Sequence, residues 1–221
     1  MKKHILIIVA ILILSTALMA DTVAVLSSGK GRVTLERKAK NIKHKNGELL
    51  KNQDVLRTGA QSFATYKYVD ASSQIKLFAN SVVTISAEKS DGKLAKNVRV
   101  GRGSVYSQVK SGSGPFTVNT PTTVASVKGT EFITRVDEYD NSQFIVLEGE
   151  IEVEVPDTAQ SGSIGGGQMG TIIDGNLVIE DTPEGAFSDE ELDALENPES
   201  STMIIPYQDE SGASKYIRIT Y

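Results

Sequence analysis

The sequence contains no cysteine and no tryptophan, and only two of its 221 residues are histidine. Without cysteine there is no disulfide, no thiolate metal site, no thiol nucleophile and no lipid attachment through an N-terminal cysteine. His4 lies at the very start, so His44 is the one imidazole in the body of the chain. A cupin-like or zincin centre needs several converging imidazoles, so no metal is expected, and no cofactor. A Ser-His-Asp triad would have to use His44, which stands among Lys38, Lys40, Lys43 and Lys45 in what reads as a solvated loop. No serine sits in a nucleophile-elbow pattern. Basic residues are also scarce: 23 Lys and Arg against 28 Asp and Glu give a net charge of −5. Setting aside Lys2 and Lys3, which belong to a leader, 21 basic side chains face 28 acidic ones, or −7. Nucleic acid and anionic lipid both need a basic footprint, so neither is expected as the main partner.

Met1-Lys2-Lys3 is a short positive start, Ile5 to Leu14 is an unbroken apolar run, and Ser15 to Ala20 is rich in small residues. This order marks residues 1–20 as a secretory signal peptide cut after Ala20. The apolar run is short for a membrane span. The rest of the chain is expected outside the cytoplasm, in the periplasm or secreted. Membrane contact is expected only through a partner or an uncleaved leader.

Long helical patterns are missing from most of the chain beyond the leader. Ile151, Val153 and Val155 alternate with Glu150, Glu152 and Glu154, a period of two that gives one apolar and one charged face. Phe144 to Leu147 is apolar on both faces, as in a strand covered on two sides. Asp137 to Ser142 reads as a turn rather than a calcium loop, whose ligand spacing it lacks. Val23 to Glu36 reads as two strands about a tight turn at Ser28 to Gly31, and Arg37 to Gly47 as a loop. Ala64, Tyr66 and Tyr68 share one face of a strand. Val98 to Val109 reads as a strand pair about Gly101-Arg102-Gly103, and Ser90 to Lys93 as a turn. Gly129 and Gly149 interrupt strand patterns, which predicts a bulge, a bend or close backbone contact. Gly165, Gly167 and Gly170 match G-x-G-x-x-G, but a hairpin with an Asp174-Gly175 turn comes next instead of a helix, so no dinucleotide site is expected.

These segments carry a family resemblance. Thr120-Pro121, then Val127-Lys128-Gly129-Thr130-Glu131-Phe132, then Leu147-Glu148-Gly149-Glu150-Ile151-Glu152-Val153 resemble the FecR domain of bacterial envelope proteins. Asp54 to Gly59, Asp70 to Leu77 and Val100 to Val105 are similar to its upstream segments, with Gln53 and Ala71 standing where the family usually has glycine. The motif residues Thr120, Pro121, Gly129, Thr130, Phe132, Glu148 and Gly149 are read as structural. The resemblance spans Val23 to Val155. It implies an all-β fold, a FecR-type solenoid-like roll or sandwich of many short strands stacked in parallel or mixed sheets. Signalling members of the family carry a cytoplasmic sigma-factor-binding domain before a membrane helix. Only Met1 to His4 precede the apolar run here, so direct control of a sigma factor is not expected.

One short C-terminal helix is clearly signalled. Ser188 and Glu191 form a capping box, Phe187 is placed to staple to Leu192, and Asp189 to Glu191 occupy the first turn. Asn197-Pro198 ends it, and Met203 to Tyr207 with Lys215 to Tyr221 form a last strand pair. The chain thus divides into a signal peptide (1–20), a FecR-like β domain (21–180), and an acidic linker, helix and β-hairpin (181–221). Glu131, Glu148, Glu150 and Asp70 are the carboxylates from which an acid–base pair of the glycosidase type would be drawn; the alternation of Glu150, Glu152 and Glu154 marks a solvated face instead. The expected function is a non-catalytic protein-interaction module of the envelope, regulatory or structural, with strand edges as contact surfaces. The alternative is an envelope carbohydrate-binding or carbohydrate-processing protein, with a glycan in place of a protein partner.

Overall fold

The computed structural model describes residues 22–196, 202–208 and 214–220. The segment expected to be a signal peptide, with its expected cleavage site, lies outside them. The strands are β1 (Thr22–Lys30), β2 (Val33–Arg37), β3 (Lys40–Ile42), β4 (Leu49–Lys51), β5 (Asp54–Thr58), β6 (Phe63–Tyr68), β7 (Ser73–Leu77), β8 (Val82–Ser90) and β9 (Lys93–Val109). They continue as β10 (Phe116–Asn119), β11 (Val124–Val127), β12 (Glu131–Val136), β13 (Ser142–Glu148), β14 (Glu150–Val155), β15 (Gln160–Gly165), β16 (Gln168–Ile173) and β17 (Asn176–Asp181). A helix, α1 (Asp189–Glu196), precedes the hairpin of β18 (Thr202–Gln208) and β19 (Ser214–Thr220). Among the described residues the fold is mostly β with one short helix, as the strand spacing and the resemblance imply.

Seventeen strands form one hydrogen-bonded network, which the pairings resolve into two sheets sharing β9. The first runs β4–β1–β6–β7–β9–β12–β13–β16–β17. The second runs β3–β2–β5–β8–β9–β10–β11–β14–β15. All these pairs are antiparallel except β9 with β10. From β5 onward the chain lays strands down mostly in twos, alternating between sheets. Inward residues of both sheets, among them Tyr66, Leu77, Phe132 and Phe144 from the first and Leu56, Val83, Val98 and Val153 from the second, form one buried cluster.

Three local expectations are corrected. Val98 to Val109 is not a hairpin. It lies in the 17-residue strand β9, which pairs with β8 up to Arg102 and with β12 from Gly103, the crossing point at φ +91°. β1 and β2 do not pair with each other: β1 joins β4 and β6, and β2 joins β3 and β5. The segment read as a loop from Arg37 contains β3, which pairs with β2 across Lys38 and Ala39 at φ 51° and 58°. Both turn residues hold the left-handed conformation of a type I′ hairpin without the usual Asn or Gly, so no turn signature marks it.

The end strands of the first sheet are partly closed by side chains. Arg37 Nη2 donates to the Leu49 carbonyl in β4 (2.9 Å), and Gln160 Oε1 accepts from the Leu177 amide in β17 (2.9 Å). Side chains that take edge groups blunt an edge against partner strands.

Candidate functional site

Register decides what stands on the outer face of the first sheet. Lys67 opposes Gln74, Gln74 opposes Gln108, Gln108 opposes Glu131, and Glu131 opposes Glu148, a row across five adjacent strands. Its inward neighbours Tyr66, Ile75 and Phe132 are fully buried, so the pleat turns the polar row outward. The row floors a cleft of about 400 Å³, rimmed by Ala71 to Ser73, Lys110, Ser111, Gly129 and Thr130. The "Asp70 to Leu77", "Gly-Thr-Glu-Phe" and "Leu-Glu-Gly" segments, far apart in sequence, meet here.

Close backbone packing shapes the rim. Gly129 has φ +79°, and a Cβ on it would lie 2.6 Å from Ser111 Cα. Gly149 has φ +85°. Between them the β12–β13 register slips: Phe132 opposes Val146 while Glu131 opposes Glu148, leaving Leu147 as the extra residue of a bulge. A bulge re-aims the side chains beside it, and here it separates Leu147, packed on an apolar strip, from Glu148 on the cleft.

Of the motif residues, Gly129, Thr130 and Glu148 line the cleft, and Gly149 supports its rim. Thr130 Oγ1 donates to the Glu150 carbonyl (2.8 Å), tying the two corners together. Phe132 points into the core. Thr120 and Pro121 are elsewhere, at the β10–β11 turn, where Thr120 Oγ1 accepts from the Thr123 amide (3.0 Å) and the Ser142 hydroxyl (2.7 Å). Asp54 and Asp70 of the upstream segments are anchors. Asp54 is fully buried, holds Arg37 through two bonds (2.8 and 2.7 Å) and accepts the Lys51 amide (2.8 Å). Asp70 pairs with Lys96 (2.7 Å), whose buried ammonium also donates to the Leu94 and Ser113 carbonyls. Burial alone would push the Asp70 carboxyl up; Lys96 and Ser72 outweigh it and hold it below the usual range.

Of the four carboxylates considered for an acid–base pair, the structure brings Glu131 and Glu148 together and separates the others. Asp70 is committed to Lys96, and Glu150 is on the second sheet, bonded to Ser163. Glu131 accepts a hydrogen bond from the Tyr106 hydroxyl. Burial, and then Glu131, push that hydroxyl well above the ordinary phenol range, so Tyr106 stays a proton donor. His44 lies between β3 and β4, its Nδ1 near the Ile42 carbonyl (3.3 Å), and takes no part in the cleft. Among the described residues no three His, Asp or Glu side chains are grouped as a metal ion would require. The arrangement offers two carboxylates, two amides, hydroxyls and two ammoniums. It can recognise a polar or zwitterionic surface. Sequence reasoning missed Lys67, Gln74, Gln108 and Lys110, whose only signal is alternation with inward apolar residues.

Beside the polar row runs an apolar one. Tyr106, Ile133, Ile145 and Met169 occupy opposed positions on β9, β12, β13 and β16. With Phe78 they pack under α1 and its lead-in, against Phe187, Ala194 and Leu195. The capping box forms as predicted, Ser188 amide to Glu191 Oε2 (2.8 Å) and Glu191 amide to Ser188 Oγ (3.3 Å). Phe187 faces the sheet, and Leu192, its expected staple partner, is 44 % exposed.

Comparison with known proteins agrees with this architecture. Residues 54–152 match the family model described as "FecR protein", inside the span that carries the motif resemblance. No curated protein matches the chain. Two crystal structures from Parabacteroides distasonis ATCC 8503, each described as a "putative anti-sigma factor", share the fold. One superposes with a TM-score of 0.52 at 15% identity over 71% of this chain and 69% of its own. The other gives 0.50 at 13% identity over 72% and 70%.

Proposed function

We propose that this chain, which carries a FecR domain across residues 54–152, works as a non-catalytic, regulatory interaction module of the bacterial envelope. The leader exports it to the periplasm or beyond, and its β body serves as a rigid platform for a protein partner. One observation supports this most: the family segments converge on one cleft of mixed charge, lined by Lys67, Gln74, Gln108, Lys110, Glu131 and Glu148. The two structures of like fold are described as anti-sigma factors, which fits a regulatory role exercised through protein contacts. The acidic charge of the exported chain favours a partner surface with positive charge, and added salt then weakens the complex.

A second reading is favoured by one feature. Glu131 and Glu148 face each other across β12 and β13, and paired carboxylates are what glycoside hydrolysis uses. The exported protein, purified and incubated with envelope polysaccharide, separates the two readings. The interaction reading expects no product release and no change on Glu131→Gln. Release of reducing ends that Glu131→Gln abolishes would establish the carbohydrate reading instead.

A further inference from the structure

We propose that the apolar groove beneath α1 is a docking site for an acidic amphipathic helix of a partner protein, with α1 as its resident occupant in the free chain. This site is separate from the polar cleft and does not rest on it.

The floor is the row Tyr106, Ile133, Ile145 and Met169, joined by Phe78. Uncovered, it would be a contiguous apolar patch of the kind that marks an interaction surface. Two cations stand on the same face. Arg135 Nε donates to Glu191 Oε1 (2.9 Å), and its Nη2 donates to Glu191 Oε2 and to the Ala186 carbonyl (2.8 Å). The Ser104 hydroxyl donates to Glu191 Oε1 as well (2.6 Å). Lys76 lies within electrostatic reach of Glu190 and Asp193. The groove therefore reads a definite pattern: carboxylates at three positions of one helical turn, then a small residue at Ala194, which is fully buried, then leucine. This pattern is its selectivity. A basic or all-apolar helix would leave the Arg135 charge without a carboxylate, held only by Gln143 Oε1 (2.7 Å) on β13.

The resident is slight. α1 has eight residues, short of the roughly 12–15 at which even good helix formers hold in water. Its stability comes from the groove. It is joined to β17 by residues 182–188, a segment with Gly185 at φ +78° whose Phe187 packs on the same floor. A longer partner helix that makes the same ion pairs can replace it, opposed only by the tether's effective concentration.

The test uses the full chain and a fluorescent peptide of residues 187–200. Glu191→Gln is made to release α1 while leaving the groove intact; Ala194→Arg does the same by bulk. Hydrogen exchange reports whether α1 amides are exposed in each. The expected result is saturable peptide binding to both variants, at least tenfold weaker binding to the wild-type chain, and none by a peptide carrying its own Glu191→Gln change. α1 that stays protected in both variants would make it ordinary core and overturn the proposal. So would an exposed α1 with no peptide binding, or equal binding of the altered peptide.

Discussion

A Cβ on Gly149 would lie 2.6 Å from the carbonyl oxygen of Gly129. The two corners of the chain that flank the cleft are therefore stacked backbone on backbone, and both residues sit at positive φ. Gly149→Ala and Gly129→Val should each lower stability by about 1–3 kcal/mol. Thermal or denaturant melting of the purified variants checks this, and an unchanged curve for both would show the corner to be adaptable.

The departures from the family's glycines give the opposite sign. Gln53 and Ala71 keep the left-handed conformation, at φ 67° and 53°. The turn geometry is retained and the strain accepted. Ala71→Gly should raise stability by about 0.5–1 kcal/mol, because a Cβ is costly there and glycine is not. A lower midpoint on denaturant unfolding would contradict it.

Thr134 carries a second removable cost. Its side chain is fully buried between the opposed residues Val105 and Phe144, and its hydroxyl has no hydrogen-bond partner. Thr134→Val keeps the shape and removes the unsatisfied group, so a gain of about 1 kcal/mol is expected. A loss on denaturant unfolding would show that the hydroxyl is served in solution.

The docking of α1 should respond to acid. Burial raises the Glu191 carboxyl, but Arg135 from β12, Ser104 from β9 and the Ser188 amide lower it more, and the net value is below its ordinary one. A depressed carboxylate contributes stability that is complete above its unfolded value and lost as pH falls through the folded one. Glu190, raised chiefly by burial, acts with the opposite sign, and Lys76 and Asp193 complete the charges facing the groove. The protection of α1 amides, as exchange relative to the unfolded chain at the same pH, should therefore fall below about pH 4.5, the ordinary glutamate value. Glu191→Gln should flatten that dependence. A flat profile in the wild-type chain would remove Glu191 as the anchor.

Much of this was legible in single stretches of sequence. Glu150 to Val155 alternates in the structure as in the pattern, and Phe144 to Val146 is buried on both faces because α1 covers one of them. Other features were hidden for physical reasons. Gly103 looks like a hairpin turn, yet it is where one strand passes between sheets. The Lys38-Ala39 turn lacks the residues that favour it. The cleft row from Lys67 to Glu148 exists only through the register of non-local pairs, which no local period encodes.

The most direct test of the interaction reading places a photo-crosslinking amino acid at Gln108, in the floor of the cleft, and a second at Glu154, exposed on the other sheet. Crosslinking is done in intact cells and read by mass spectrometry. The account predicts one envelope protein captured reproducibly from position 108, not from 154, and lost when Glu131 and Lys67 are both replaced by alanine. Equal capture from the two positions, or none from position 108, would contradict it.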